Sequence, residues 1–548
     1  MILSTDLLIK IKNLFIEKKY TELEFNIESL GSLDKLPSKI LMFYAVSKAL
    51  NPNSKKNDFK ISAFHFEKIY SENKSNREAF YNLIFTSVKA VYFKYLEPHI
   101  IKEYEKNKSD PKILEGLAKM NFFYNNMIEV TNYYEKLLKI NPNFISVWST
   151  FLASLNYHYF ADQKKYLNYC EKFDKTKKID VKDFIKDYQN DKIKIGFLSA
   201  DLRSHSVSFF LKDILSKMDK NDFELHALSN LDGNDHDDMT LKLKSTFDNW
   251  HEIKSLSDRE LVNFSRSLKL DILIDLAGYT YNNRVNALRS RCAPAQISWC
   301  GYCNTTGIRN MDFLIADPNL IKKEEENLYS EKILYMPKIW NVLSKPDNLP
   351  DVKLEKIKTD KTFIYGSFNN FMKISLETIK VWSKILNNGN SKLILKNSVS
   401  LNDDRAKEIL MNKFVNEKVD ITKIEIIETK ITMKEHLESY NQIDLALDTF
   451  PYPGVTTSFQ SILMGVPVLT MKGFNFNSRC GESINLNLGL KEFNSENEDD
   501  YFGKAIYFQK GRNKLLEIKK NLREKALKSN LFDTDGFASD FSRLLKNL

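Results

Sequence analysis

At 548 residues the chain is too long for a single hydrophobic core, so two to four domains are expected. Its 43% apolar and 12% aromatic content excludes a disordered protein. A net charge of +9, spread as Lys among Asp and Glu without a basic block, argues against a nucleic-acid partner.

The N-terminus is amphipathic at helical spacing and broken by Lys10 and Lys12, unlike the apolar core of a signal peptide. No run reaches the ~18 apolar residues of a membrane span, and the expected setting is cytoplasmic. Up to about residue 185 there is almost no strand signal, and a repeat appears at a spacing of 34 residues. Tyr70, Asn73 and Asn76 align with Tyr104, Asn107 and Asp110, then with Leu138, Asn141 and Phe144. Phe80, Leu114 and Trp148 keep the same step, as do Leu83, Leu117 and Phe151. A helix–turn–helix unit of this length is the tetratricopeptide period. Repeats are placed at 39–72, 73–106, 107–140 and 141–174, with 1–38 as an irregular cap. Such arrays present a concave face to a peptide or protein partner.

Near Asp191 the pattern changes to strands alternating with helices. Strands are expected at 192–199, 223–227, 271–276, 296–299, 313–316 and 332–335. Residues 341–361, with Pro346 and Pro350 among charges, read as a linker. A second alternating set follows at 362–368, 392–395, 424–427, 445–447 and 466–469, and the last stretch is helical again. The expectation is a helical repeat region over 1–185, then two Rossmann-like α/β domains over 190–345 and 360–548 with a cleft between their carboxyl edges.

Within the second set, residues 443–470 read IDLALDTFPYPGVTTSFQSILMGVPVLT. A strand runs into a turn containing Pro451, Pro453 and Gly454, and Thr456 and Thr457 open a helix. Helix starts beside the carboxyl edge of a parallel sheet carry unpaired N–H donors and partial positive charge, which suits phosphate, although an ordinary βαβ unit with Thr caps has the same pattern. Polar loops follow other strands: Asp201 to Ser206 with His205; Gly278, Tyr279 and Thr280; Gly301 to Gly307 with Tyr302; and Asn369, Asn370 and Lys373. Lys373 is placed to reach a phosphate as a point charge, and His436 starts the helix before Asp444. No dinucleotide fingerprint, P-loop or nucleophile elbow occurs. Five cysteines (Cys170, Cys292, Cys300, Cys303, Cys480) give no disulfide framework, and the CxxC pair at 300 and 303 lacks the partners of a zinc site.

Together the strings IGFLSADLRSHSVSFF, DILIDLAGYTYNNR, RCAPAQISWCGYCNTTGIRNMDFLIAD, YGSFNNFMKIS, the segment from Glu435 to Thr470, and SRCGESI resemble the catalytic region of the O-linked N-acetylglucosamine transferase family, including its bacterial and Spindly-type members. The resemblance covers about residues 190–490 and implies an inverting, metal-independent GT-B glycosyltransferase. Its donor would be a nucleotide-diphosphate sugar and its acceptor a protein Ser or Thr guided in by the repeats. It implies Lys373 on the diphosphate, Thr456 and Thr457 on the phosphates beside Gly454, and Asn370 near the donor. It further implies His436 near the base, Gly301 and Tyr302 in the sugar loop, and His205 near the reacting centre; Thr280 is a further substrate-binding candidate. Asp271 stands where family members often have a His and joins His205 and Lys373 as a catalytic candidate; a donor phosphate oxygen is a further candidate for the proton. Three residues depart from the pattern. Val455 replaces a histidine or small residue, Gln460 replaces the acidic residue that holds the ribose hydroxyls, and Cys303 replaces a proline. UDP-N-acetylglucosamine is the first-choice donor, with UDP-glucose and GDP-fucose as alternatives, and a catalytically idle nucleotide-binding scaffold is the reading from another class.

Overall fold

The structure, a computed structural model, describes residues 5–157, 162–354, 362–396, 400–428 and 432–548. It divides into two compact units, residues 1–141 with 403–407, and residues 142–402 with 408–548.

The first unit is built from helix pairs. After α1 (Thr5–Ile16) and α2 (Tyr20–Glu28) come α3 (Ser38–Leu50) with α4 (Lys56–Glu72), α5 (Arg77–Ala90) with α6 (Glu97–Lys106), and α7 (Pro111–Phe123) with α8 (Met127–Ile140). The asparagine that recurs every 34 residues closes the second helix of each pair. Asn73, Asn107 and Asn141 adopt nearly the same conformation (φ −139°, −145° and −138°), and each N–H returns to the carbonyl four residues earlier. Asn76 and Asp110 then cap the next helix, accepting from Ala79 N and Ile113 N. Apolar positions spaced for one helix face, such as Phe80, Leu83, Leu114 and Leu117, are fully or almost fully buried.

The fourth pair, α9 (Ile145–Leu155) and α10 (Gln163–Asp174), has the expected repeat spacing but belongs to the second unit. The reason is a buried amide and phenol network. Asn156 Nδ2 donates to Tyr302 OH at 2.9 Å, Gln163 Nε2 to Asn304 Oδ1 at 2.7 Å, and Asn304 Nδ2 to Asn156 Oδ1 at 2.9 Å. A Cβ at Gly307, which has φ +63°, would lie 2.2 Å from Cys170 Cβ, so α10 sits directly on that loop.

The rest of the second unit holds two parallel sheets. The first orders its strands β3-β2-β1-β4-β5-β6-β7: β1 (Ile193–Ser199), β2 (Phe223–Ser229), β3 (Asn249–Glu252), β4 (Ile272–Asp275), β5 (Ala295–Ser298), β6 (Phe313–Ala316) and β7 (Lys332–Tyr335). The second runs β10-β9-β8-β11-β12-β13: β8 (Phe363–Ser367), β9 (Ser391–Lys396), β10 (Ile424–Ile427), β11 (Leu445–Leu447), β12 (Val468–Met471) and β13 (Asn494–Ser495). The expected strands are present. Two edge strands escape the sequence reading, β3 because its Asn-Trp-His-Glu string is only partly buried, and β13 because it has two residues. In each sheet the strand order reverses once, between β1 and β4 and between β8 and β11. Loops leaving those strand ends diverge and open a crevice.

Two boundaries shift. Asn341 to Ser344, read as linker, are buried, with Leu343 N donating to Leu531 O and Ser344 N to Phe209 O. The remainder of that linker at 355–361 lies outside the described residues. The last helix (Thr534–Lys546), assigned by sequence to the C-terminal domain, returns to the first sheet's domain: the Phe541 ring lies 4.5 Å from Trp299, and Lys217 pairs with Asp535 at 2.7 Å. Among the described residues no helix is long and apolar enough to cross a membrane.

Candidate functional site

At the reversal point of the second sheet, β8 passes through Phe368 and Asn369 into a short 3-10 turn, Phe371–Lys373. Beside it β11 ends at Asp448, whose side chain is buried and organises the neighbouring turn. Asp448 accepts from Gly454 N at 2.6 Å, Thr449 N at 3.0 Å, Asn369 Nδ2 at 2.8 Å and Thr470 Oγ1 at 2.8 Å. Burial raises its carboxyl above the usual range despite those four donors. The chain is thereby folded back so that Gly454 lies against the helix it precedes. A Cβ there would meet Thr457 Oγ1 at 2.4 Å and Asn369 Oδ1 at 2.6 Å, a position only glycine fills.

The helix Thr456–Leu463 begins immediately after this turn, and its N-cap, Val455, supplies no side-chain acceptor. Among the described residues the N–H groups of Thr456 and Thr457 meet no protein acceptor, as expected for the first turn of a helix. Thr457 donates its hydroxyl to Asn369 Oδ1, locking the helix start to the end of β8. Lys373 is half-buried and reaches the same turn: its Nζ donates to Pro453 O at 2.8 Å and lies 3.9 Å from the centre of the Tyr452 ring. Burial lowers its ammonium to about 8, while the Asp448 charge opposes that shift. Lys373, the paired threonines and Gly454 therefore converge on one turn.

Next to this group, in the same domain, His436 meets Gln460. His436 Nε2 lies 2.9 Å from Gln460 Oε1, and its ring makes an edge contact with Tyr440 at 5.6 Å. Burial, reinforced by a neighbouring ammonium, lowers His436 to about 4, so it is neutral. That ammonium belongs to Lys396, the last residue of β9, which hydrogen-bonds His436 Nδ1.

In the first sheet, His205 caps the helix Ser206–Lys217, accepting from Val207 N through Nδ1 at 3.4 Å, with Asp201 Oδ2 3.7 Å from the same nitrogen. Burial lowers its pKa, and Asp201 opposes that shift. Thr280 donates to Ala277 O at 2.7 Å. Gly301 is pressed against the strand next to it, since a Cβ would lie 1.9 Å from Leu276 O. These three occupy loops at the carboxyl edge, facing the reversal point between β1 and β4.

Two sequence assignments, Asp271 and Tyr302, are corrected, and the two asparagines before Lys373 take different places. Asp271 precedes β4 and so stands at the opposite, amino edge of the sheet. There it pairs with Lys186 at 3.2 Å and accepts from Asn190 Nδ2 at 2.8 Å and Lys194 N at 3.1 Å, a clasp that ties the incoming chain to the sheet. Tyr302 is buried, and its phenol is engaged by Asn156 and by Tyr166 on α10; its side chain anchors the helices instead of lining the cleft. Asn370 is exposed and only closes its own turn, accepting from Met372 N at 3.0 Å, whereas Asn369 bridges to Asp448, Thr449 and Thr457.

Sequence reasoning named Asn369 only as a polar loop residue and missed Asp448, Lys396 and Asp275. The last, ending β4, accepts from Gly278 N at 2.8 Å and Ala277 N at 3.2 Å, and burial raises it to about 7. The available signal was position: each is polar and lies at or immediately beyond the end of an apolar strand.

Two parallel-sheet Rossmann-like domains define the GT-B class of glycosyltransferase fold, here preceded by helical pairs. The chain belongs to glycosyl transferase family 41, whose profile matches residues 161–362 and 353–541. It is 27% identical over 429 residues to the probable UDP-N-acetylglucosamine–peptide N-acetylglucosaminyltransferase SPINDLY of Oryza sativa subsp. japonica, covering 76% of this chain and 45% of that protein. It is 26% identical over 364 residues to the probable UDP-N-acetylglucosamine–peptide N-acetylglucosaminyltransferase SEC of Arabidopsis thaliana, covering 64% of this chain and 36% of that one. The chain thus spans less than half the length of these curated relatives. Its fold matches a mutant of the Thermobaculum terrenum O-GlcNAc transferase with a TM-score of 0.79 at 23% identity, over 94% of this chain and 99% of that one.

Proposed function

We propose that the protein is an inverting glycosyltransferase that moves a sugar, N-acetylglucosamine from UDP-N-acetylglucosamine in the first instance, to Ser or Thr hydroxyls of protein acceptors. The observation that carries this reading is the bond from Lys373 Nζ to Pro453 O, which puts an ammonium in the turn where Thr456 and Thr457 offer free N–H groups. Departure of a nucleotide diphosphate develops negative charge. An ammonium and a helix start already aimed at that charge lower the barrier with little reorganisation. In this reading no metal is required, because these groups supply the positive charge. The activities for which the relatives SPINDLY and SEC are named support the donor and the peptide acceptor.

His205 is the proton-handling candidate nearest the acceptor side. With Nδ1 accepting from Val207 N, its proton is on Nε2, which suits orienting a donor oxygen better than abstracting a hydroxyl proton. The helical pairs present protein acceptors, and a reducing, cytoplasmic setting agrees with five free, buried cysteines.

The test is thermal unfolding with a panel of nucleotide sugars, followed by mass analysis of acceptor peptides incubated with each. A rise in Tm with UDP-N-acetylglucosamine and a matching mass increment on peptide is expected. Protection by GDP-fucose or UDP-glucose instead reassigns the donor. Nucleotide binding with neither transfer nor hydrolysis leaves the idle scaffold.

A further inference from the structure

Lys396 ends β9 at the carboxyl edge, half-buried, and has no role in the reading above. Among the described residues no carboxylate pairs with its ammonium, and burial alone lowers it to about 8. Its recorded partner is an imidazole, His436 Nδ1. An ammonium has donors and no acceptor, so Nδ1 must present its lone pair. A neutral histidine then carries its proton on Nε2, where it faces Gln460 Oε1 at 2.9 Å. The carboxamide is consequently fixed with oxygen toward His436, and its nitrogen lies 3.6 Å from Met433 Sδ, a weak acceptor. The chain Lys396 to His436 to Gln460 has one consistent direction of donation.

Position 460 is a carboxamide and not an acid, which sets the chemistry of this corner. A carboxylate would draw a proton onto His436 and accept from ribose hydroxyls; the carboxamide, held by its oxygen, offers N–H groups to ligand oxygens. His436, held neutral, keeps a flat uncharged ring beside the packed pair Phe368 and Tyr440, whose ring centres lie 6.3 and 5.6 Å from its own.

We propose that Lys396 is a positioning residue for nucleotide recognition: by donating to His436 Nδ1 it fixes that ring as the Nε2–H tautomer and, through it, orients the Gln460 amide toward the nucleotide. The assignment rests on the nucleotide-sugar reading of this cleft.

The experiment pairs nitrogen NMR of His436 with nucleotide titration. In the unliganded wild-type protein the ring nitrogens should show Nδ1 unprotonated and Nε2 protonated. Lys396→Met should release that tautomer bias and weaken UDP binding by about tenfold, the size of one lost charge-assisted hydrogen bond, while kcat at saturating donor stays within about twofold. Lys396→Arg, which retains a donor, should recover most of the affinity. A purely structural lysine would instead lower Tm without moving the tautomer. An Nδ1–H tautomer in the wild-type protein, or unchanged UDP affinity in Lys396→Met, overturns this assignment alone. Failure of the wild-type protein to bind either UDP or GDP overturns the donor-site reading and this assignment with it.

Discussion

The two sheets use the same device at their reversal points, with different strength. At each, a buried aspartate at the end of a strand folds the following glycine turn by accepting its N–H: Asp275 with Gly278, and Asp448 with Gly454. Asp275 serves two backbone donors, whereas Asp448 also holds Asn369 and Thr470, and Asn369 in turn holds Thr457. The second sheet's loop is therefore locked from three strands, as a site for a charged leaving group needs. In the first sheet, His205, Thr280 and Gly301 are satisfied mainly within their own loops and share no such carboxylate. The second sheet's turn is thus the more firmly prebuilt of the two.

The largest expected break in that contrast is Lys373→Met. Removing the ammonium should lower transfer about 10²-fold or more, with nearly unchanged Tm, because Lys373 bonds only a turn carbonyl and an aromatic face. Full activity in the variant would remove the turn from the chemistry. Next comes Asp448→Ala, which leaves Thr470, Thr449 N and Gly454 N without this acceptor and Asn369 with only Thr449 to donate to. A stability loss of about 3 kcal/mol is expected by denaturant titration, together with loss of nucleotide protection. A variant that unfolds like wild type would show that the turn is held by its prolines and packing instead.

Much of this was legible in the chain. The 34-residue step located the four helix pairs from α3 to α10, while α1 and α2 fell in the stretch read as an irregular cap, and the alternation of apolar runs located eleven strands, because both depend on local periodicity. The turn at 451–457 was legible because proline, glycine and paired threonine have few other uses together. Long-range satisfaction was not legible. Nothing local distinguishes Asn369 from Asn370, yet one is buried in a network and the other faces water, and the alternation of side chains at a strand end decides which. Asp271 was misassigned for a related reason: family position suggested chemistry, but only sheet direction shows that the residue before β4 lies at the amino edge. Tyr302 sits in the expected loop, and its burial against α10 could not be read without knowing that the fourth helix pair docks there.

Asp275 sharpens the comparison through pH. Its carboxyl is raised to about 7 by burial, so between the unfolded value near 4 and about 7 the native state binds more protons than the unfolded chain. Its contribution is therefore full at low pH and is lost as pH rises through about 7. Asp275→Asn should flatten the fall in stability from pH 5 to pH 8 by on the order of 2 kcal/mol, measured by thermal unfolding across that range. The same slope in wild type and variant would mean that the carboxylate is solvated. On the donor side, Thr456→Val should cost about tenfold in UDP affinity through one lost hydroxyl contact. Thr457→Val should cost more, since it also frees Asn369. Equal losses would show that the Thr457–Asn369 lock adds nothing to binding.

The smallest effect is expected at Asp271, and it tests the assignment of edges. Its partners Lys186 and Asn190 lie in the segment entering β1, and both the carboxylate and its lysine are partly open to water. Exposed pairs of this kind contribute roughly 0–1 kcal/mol, so Asp271→Asn should lower stability slightly and leave transfer within about twofold. The neutral amide keeps an oxygen for Lys194 N, which limits the loss further. A large fall in kcat with an unchanged Tm would place Asp271 in the chemistry after all, and would require the amino edge of the first sheet to reach the acceptor. The parallel register that sets Ile272 beside Ile195, deep to Asp275 and its loop, argues against that reach.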